Sequence, residues 1–149
     1  MSLIGQILSA DDVLLDVEIS SKKRLLEEIA QKVHDARGID KESVFDCLFA
    51  REKLGSTGLG HGVAIPHGRL SGMISDTIAV FLRLKEAVDF DSYDGKPVNL
   101  VFAMLVPENA GSKHLEVLSQ LADVFSSKTS REALLAANNA EDVLSILIQ

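Results

Sequence analysis

Apolar residues recur along this chain at two spacings, one typical of helices and the other typical of strands. The first helical pattern follows Ser20 and Ser21, either of which can cap a helix, and it ends at Gly38. Its apolar residues occupy one helix face, and they are Leu25, Leu26, Ile29, Ala30 and Val33. Asp40 caps a second predicted helix, which ends around residues 51–54. The apolar face of that helix contains Val44, Phe45, Leu48 and Phe49.

Three further segments have the patterns of strands. Residues 15–19 alternate apolar and acidic positions, which predicts a short strand after a helical turn near Ile4. Residues 77–84, TIAVFLRL, are rich in β-branched and apolar side chains and predict a second strand. Residues 98–106, VNLVFAMLV, predict a central strand that is buried on both faces and stops at Pro107. Aspartates and a glycine in residues 86–97 indicate a connection between these two strands.

The C-terminal part of the chain is predicted to be helical. Ser112 can cap a helix that carries Leu115, Leu118, Leu121, Ala122 and Phe125. Two short amphipathic helices follow, over residues 130–137 and 141–149, and they join at Asn138 and Asn139. Their predicted inward residues are Leu134, Leu135, Val143, Leu144, Leu147 and Ile148. Because strands and helices interleave, we expect an α/β sandwich in one domain over residues 1–149, with a mixed central sheet of about four to six strands flanked by helices.

Composition narrows the classes of function. No apolar run approaches the roughly 20 residues that span a bilayer, and the N-terminus lacks the basic start of a signal peptide. The single cysteine, Cys47, excludes an internal disulfide and a CxxC motif. A net charge of −7 argues against nucleic acid, whose phosphates normally need a basic face. We therefore expect a cytoplasmic protein without membrane insertion.

The stretch with the most chemical content is REKLGSTGLGHGVAIPHGRL, residues 51–70, which contains five glycines. Its apolar run, residues 63–65, leads through Pro66 to His67. Pro66 fixes its own φ and favours an extended conformation in the residue before it, so the main chain that enters His67 is stiff. This pattern predicts a short buried strand that presents one imidazole at a surface. A histidine in an ordinary turn has the same spacing and remains an alternative.

Two histidines lie where chemistry is plausible, His67 and His114, the second at a predicted helix start after a buried strand. Helix N-termini and glycine-rich backbone both present N–H groups to anions, and Arg51 can add a guanidinium fork. A neutral imidazole nitrogen is also a nucleophile near neutral pH. Together these features predict phosphoryl transfer.

Other chemistries fit the sequence less well. The glycines lack the GK[ST] ending of a Walker loop, and a helix precedes them where a Rossmann fingerprint needs a strand. A zinc site made of His61, His67 and His114 would lack the usual histidine spacings. There is no GxSxG motif, and Cys47 lies in the middle of a predicted helix, where a small buried thiol is expected.

Residues 51–70 resemble the phosphorylation-site signature of the enzyme IIA domains of the bacterial phosphoenolpyruvate-dependent phosphotransferase system, of the fructose/mannitol type. The resemblance covers nearly the whole chain and is nearest to the stand-alone nitrogen-regulatory branch. It implies that His67 accepts a phosphoryl group on Nε2 from an HPr-type phosphohistidine carrier. It also implies that His114 lies beside His67 and helps to hold the phosphate, with Arg51 near the site.

The resemblance places Ser56, Thr57 and Gly58 in the phosphate-site loop, where either local hydrogen bonding or capping of the loop is expected. His61 stands where relatives often have asparagine, and we expect it to be a bystander. No metal or cofactor is implied, because the donor is already a phosphohistidine. With no fused transport domain, regulatory target proteins are the expected output. Two alternatives remain: a sugar-specific IIA component that passes phosphate to a fructose or mannitol transporter, and a binding module that is not phosphorylated.

Overall fold

A mixed sheet of six strands forms the centre of the computed structural model, which describes residues 2–148. The strands are β1 (Val13–Val17), β2 (Gly58–Gly60), β3 (Val63–Ala64), β4 (His67–Leu70), β5 (Ile78–Val88) and β6 (Val98–Pro107). The helices are α1 (Ile4–Ile7), α2 (Lys22–Arg37), α3 (Lys41–Lys53), α4 (Lys113–Ser126), α5 (Lys128–Ala136) and α6 (Ala140–Ile148). The prediction of an α/β fold with a mixed sheet is confirmed.

Strand β6 is the axis of the sheet. The strand order is β1-β5-β6-β3-β2, and β4 also pairs with β6. Strand β5 runs antiparallel to β6, whereas β3 and β4 run parallel to it. His67, the first residue of β4, pairs in register with Met104. The most apolar strand of the chain therefore supports the histidine that the sequence singled out.

Helices cover both faces of the sheet, so the core has two layers. Val101, Ala103 and Leu105 of β6 pack into the layer that includes α2 and α3. The alternate residues of β6, Leu100, Phe102 and Met104, pack into the layer that includes α1 and α4 to α6. Successive side chains of a strand point to opposite faces, so one continuous apolar run fills both layers. The prediction that this strand is buried on both faces is confirmed.

Local capping explains the bounds of the two N-terminal helices. Ser21 Oγ accepts the Arg24 N–H at 3.2 Å, and Asp40 Oδ2 accepts the Ser43 N–H at 3.0 Å. Gly38 ends α2 in the left-handed conformation, with φ of 69°. These three signals act as predicted. Ser112 occupies the cap position of α4, but its side chain makes no capping hydrogen bond.

Two strands differ from their predicted bounds. Strand β1 starts at Val13 and ends at Val17, two residues before the predicted range. Strand β5 continues to Val88, because the chain pairs again with β6 at Val98 after an irregularity in the register. Residues 85–87 are exposed in this extension, which explains why their polar sequence resembled a loop.

Some residues predicted to face inward are exposed. Leu135 is 45% exposed and Ile148 is 38% exposed, with the Ile148 side chain beside Gly5 of α1, while Leu134, Val143 and Leu147 are buried. In α4 the buried residues are Val117, Leu121 and Phe125, so Leu115 and Ala122 lie on the solvent side. Phe49 is also exposed, and its ring stacks on that of Phe45. In residues 2–148 no helix combines the length and the hydropathy needed to cross a membrane.

Candidate functional site

His67 is held by the main chain of its own segment. Its Nδ1 lies 2.7 Å from the carbonyl oxygen of Ile65, two residues earlier. A carbonyl oxygen only accepts hydrogen bonds, so Nδ1 must carry the proton and donate it. The lone pair of the neutral ring is then on Nε2. The Pro66 carbonyl accepts the Met104 N–H at 2.9 Å, which ties the turn to β6.

The surroundings of His67 favour an uncharged ring. Burial is the largest influence and lowers the pKa of His67 below that of an ordinary histidine, while the hydrogen bond to Ile65 opposes this shift. The positive charge of Arg51 and the neighbouring His114 also lower the pKa, and Glu52 raises it. At neutral pH the ring is therefore neutral, with a nucleophilic nitrogen.

A cavity of ≈ 360 Å³ opens beside His67. Its other lining residues are Cys47, Ala50, Arg51, Leu54, Gly68, Arg69, Val106 and His114. Three candidate residues far apart in sequence, His67, His114 and Arg51, thus share one cavity. A larger cavity, of ≈ 660 Å³, lies between α2 and α3 and contains none of the three.

Arg51 and His114 reach the cavity from two helices. Arg51 lies in the last turn of α3, and its Nη1 donates to the Gly55 carbonyl at 2.8 Å. A guanidinium has five N–H donors, so this bond leaves others for an anion. His114 is the second residue of α4, and its buried Nδ1 has no hydrogen-bond partner within residues 2–148. His114 itself lines the cavity, so its ring lies beside any group bound there.

Arg69 is a member of the site that sequence reasoning missed. Its guanidinium donates to the carbonyls of Pro107, Glu108 and Gly111, at 3.4, 3.1 and 2.8 Å. These bonds fix the connection between β6 and α4, and hence the helix start that carries His114. The available signal was spacing, since residues i and i+2 of a strand share a face and Arg69 lies two residues after His67.

The predicted phosphate-site loop makes hydrogen bonds within the protein. Ser56 Oγ donates to the Phe90 carbonyl at 2.7 Å and accepts the Gly58 N–H at 3.1 Å. The hydroxyl and the N–H of Thr57 both donate to the Glu52 carboxylate. The local hydrogen bonding expected for Ser56 and Thr57 is thus present, but Ser56, Thr57 and Gly58 do not line the cavity with His67. Phosphate binding by these three residues remains a prediction.

Close packing explains two glycines of the signature. A Cβ on Gly58 would overlap Ser92 Oγ, which comes from the connection between β5 and β6. A Cβ on Gly68 would lie 2.6 Å from Cys47 Sγ, a contact that real Cβ atoms essentially never make. The half-buried Cys47 thiol donates to the Arg69 carbonyl at 3.2 Å, and burial raises its pKa, so it is not activated as a nucleophile.

His61 does not join the cavity. It is exposed, with a φ of 55°, and its N–H donates to Asp94 Oδ2 at 2.9 Å. Over residues 2–148 no group of three or more histidine, cysteine, aspartate or glutamate side chains is arranged to hold a metal ion.

Residues 6–149 match the family described as phosphoenolpyruvate-dependent sugar phosphotransferase system, EIIA 2. A nitrogen regulatory protein of Pseudomonas aeruginosa is 46% identical over 149 residues, covering 99% of this chain and 96% of that protein. The crystal structure of nitrogen regulatory protein IIA-Ntr from Neisseria meningitidis superposes with a TM-score of 0.93 at 54% identity, covering 98% and 99% of the two chains. The IIA mannitol structure from Escherichia coli shares the fold, with a TM-score of 0.79 at 24% identity over 94% and 98% of the two chains.

Proposed function

This chain belongs to the EIIA 2 family of the phosphoenolpyruvate-dependent sugar phosphotransferase system, and from that membership we propose that it is a phosphocarrier whose acceptor is His67. The donor is an HPr-type phosphohistidine protein, and the whole chain, residues 1–149, acts as one EIIA domain. The observation that carries the proposal is the hydrogen bond from His67 Nδ1 to the Ile65 carbonyl. It leaves Nε2 as the nitrogen with a free electron pair.

The transfer step forms one P–N bond and breaks another. The lone pair of His67 Nε2 attacks the phosphorus of the carrier's phosphohistidine. The carrier's P–N bond breaks, and its electron pair returns to the carrier's imidazole, which leaves as a neutral ring. The positive charge of the donor ring thereby passes to the ring of His67, where the Ile65 carbonyl stabilises it through Nδ1–H. No metal or cofactor is needed to balance this step.

The cavity supplies the electrostatics of the transfer. Phosphoryl transfer depends mainly on positioning and on stabilisation of the charge on the equatorial oxygens. Arg51 offers its remaining N–H donors, and the ring of His114 lines the same cavity. Arg69 fixes the start of α4, which carries His114, and the Gly55 carbonyl holds Arg51, so both groups are positioned before the donor arrives.

The surface around the cavity supports docking of a protein donor. Leu54, in the cavity wall, is 85% exposed, and Leu115, beside His114, is 56% exposed. The segments around Leu54, His67 and Leu115 also contain four basic residues, although the chain as a whole has a net charge of −7. They are Arg51, Lys53, Arg69 and Lys113. An apolar centre with a charged rim is typical of transient protein interfaces.

The output that we propose is regulatory. A phosphoryl group on His67 adds negative charge to this surface and so changes which proteins dock there. Two relatives that cover nearly all of this chain carry the name nitrogen regulatory protein. We accordingly place the protein in the bacterial cytoplasm, where regulatory target proteins would distinguish the two phosphorylation states.

Intact mass after incubation with phosphoenolpyruvate, enzyme I and an HPr-type carrier tests the proposal. We expect one phosphoryl group on the wild type, labile to acid, and none on His67→Ala. His61→Ala, which changes an exposed histidine outside the cavity, should be phosphorylated like the wild type. A wild type that stays unphosphorylated with a competent carrier would refute the relay and leave a binding module. Efficient onward transfer to an isolated fructose or mannitol IIB domain would favour the sugar-specific alternative.

A further inference from the structure

An ion pair between a buried carboxylate and a partly exposed lysine lies behind the phosphate-site loop. Lys22 Nζ is 3.0 Å from Glu52 Oε1, and only 3% of the Glu52 side chain is exposed. Lys22 Nζ also lies over the Phe90 ring, 4.5 Å from its centroid, and donates to the Phe90 carbonyl at 3.4 Å. Burial of the Glu52 charge is costly, and its ion pair and hydrogen bonds must offset that cost, whereas 20% of the Lys22 side chain stays exposed.

A continuous path of hydrogen bonds leads from the pair to His67. The Glu52 carboxylate accepts both the N–H and the hydroxyl of Thr57. The Thr57 carbonyl accepts the Ile65 N–H at 3.1 Å. The Ile65 carbonyl then accepts the His67 Nδ1–H at 2.7 Å. The N–H and the carbonyl of Thr57, and likewise those of Ile65, belong to adjacent peptide groups, so each link restrains the main chain that makes the next one.

We propose that Glu52, held in place by Lys22, is a positioning residue that fixes the ring of His67 through Thr57 and Ile65. This inference rests on the proposed function only in taking Nε2 as the acceptor nitrogen. Without the carboxylate, the Thr57 N–H and hydroxyl lose their acceptor, and the main chain that runs from Thr57 through Ile65 to His67 is less restrained. The His67 ring then exchanges between its two neutral tautomers, and only one of these has a lone pair on Nε2.

Glu52 is adjacent in sequence to a residue that lines the cavity. It follows Arg51 in the last turn of α3, so the same turn supplies a cavity residue and the anchor of the loop. Lys22 is the first residue of α2, and its Nζ is also 3.6 Å from Asp91 Oδ2. The charged and titratable groups that act on His67 are Arg51, Glu52 and His114.

The decisive variant is Glu52→Gln, which keeps the size of the side chain but removes its charge and one acceptor oxygen. Heteronuclear NMR of the His67 ring nitrogens reports the tautomer directly, in the unphosphorylated protein. We expect essentially one tautomer in the wild type, protonated on Nδ1, and a mixture in the variant. We also expect the pKa of His67 to fall in the variant, because the Glu52 charge raises it. Glu42→Gln, an exposed change on the same helix, should leave both readouts unchanged.

The rate of phosphorylation provides a second readout. Phosphoramidate is a small phosphoryl donor that needs no docking surface, and its use separates chemistry from carrier binding. A displacement of about 1 Å at a reacting group can cost about 100-fold in rate, so we expect Glu52→Gln to be roughly 10- to 100-fold slower. With a phosphorylated HPr-type carrier, kcat should fall by a similar factor while KM stays near the wild-type value.

Folding is monitored in every variant by amide NMR spectra. If Glu52→Gln does not fold, Lys22→Met combined with Glu52→Gln removes both charges of the ion pair, and we expect the same mixture of tautomers and the same slower phosphorylation. A folded variant that keeps one tautomer, the wild-type pKa and a rate within twofold would overturn the proposal. If the wild type accepts phosphate from neither donor, the proposed function fails, and the tautomer measurement still decides the role of Glu52.

Discussion

Arg83 joins the C-terminal helices to the sheet, and its replacement by methionine should destabilise the fold. The side chain extends from β5 and is 8% exposed. Its Nη1 donates to the carbonyls of Leu134, Leu135 and Ala137, at 3.0, 3.2 and 2.6 Å. Its Nε and Nη2 donate to the Asp16 carboxylate, both at 3.1 Å. These contacts hold the C-terminal end of α5 against β5, in the core layer that includes α1 and α4 to α6.

The carbonyl bonds should account for most of the loss in stability. The Asp16 side chain is 65% exposed, so the ion pair itself contributes at most about 1 kcal/mol. A hydrogen bond to a charged donor contributes about 1.5–3 kcal/mol, but Leu135 is exposed and its carbonyl can bind water in the variant. Part of the remaining loss is offset because the variant no longer buries a charge. The net expectation for Arg83→Met is about 3 kcal/mol.

Urea unfolding followed by far-ultraviolet circular dichroism measures this loss. Lys85→Gln is the matched control, because Lys85 lies on the same strand and makes an exposed ion pair with Glu18. The control should lie within about 1 kcal/mol of the wild type. Amide hydrogen exchange in α5 and α6 should quicken in Arg83→Met and not in the control. A loss below about 1 kcal/mol with unchanged exchange would show that the carbonyl bonds do not hold the helices in place.

Three further predictions concern the site. Gly68→Ala should lower stability by about 1–3 kcal/mol in thermal melts, since the added Cβ would lie 2.6 Å from Cys47 Sγ. Adding Cys47→Ala should restore most of the loss, and no loss in the single variant would count against this packing. Arg69→Met should slow phosphorylation from phosphoramidate about tenfold, because the start of α4, which carries His114, loses its hydrogen bonds to Arg69. An unchanged rate would show that Arg69 does not position His114. Because the pKa of His67 is lowered, its phosphorylation rate should rise with pH to a plateau, with a midpoint below that of a free histidine. The lowered pKa also makes the fold less stable as pH falls from the pKa of a free histidine to that of His67, since the unfolded chain binds more protons over this range. A midpoint of the rate profile above the pKa of a free histidine would contradict the burial of the ring.

The sequence predicted the elements that depend on local signals. Ser21, Gly38 and Asp40 act on residues within one helix turn. The continuous apolar run of β6 is sufficient by itself to predict that this strand is buried. The stiff entry into His67 was also local, since Pro66 acts on its neighbours. Residue types and predicted elements suggested that Arg51, His67 and His114 serve one anion site. The family resemblance placed His114 directly beside His67, because no spacing in the chain shows that α3 and α4 approach the same end of β4.

Other features depend on contacts between distant segments. The buried Glu52 carboxylate forms an ion pair with Lys22, which lies on another helix and 30 residues earlier in the sequence. Gly58 faces Ser92, and Arg69 reaches carbonyls after β6, and neither contact leaves a pattern in one segment. In the short C-terminal helices, adjacent apolar residues such as Leu134 and Leu135 leave the inward face ambiguous, and only packing decides it.

We propose that His67 is a nucleophile through Nε2 because the Ile65 carbonyl holds the proton on Nδ1. Heteronuclear NMR of the His67 ring, recorded before and after phosphorylation from a phosphorylated HPr-type carrier, measures which nitrogen carries the proton and which carries the phosphorus. We predict a neutral ring with Nδ1–H beforehand, and phosphorus on Nε2 with the Nδ1 proton retained afterwards. Phosphorus on Nδ1, or on His114 with His67 unchanged, would show that His67 Nε2 is not the acceptor.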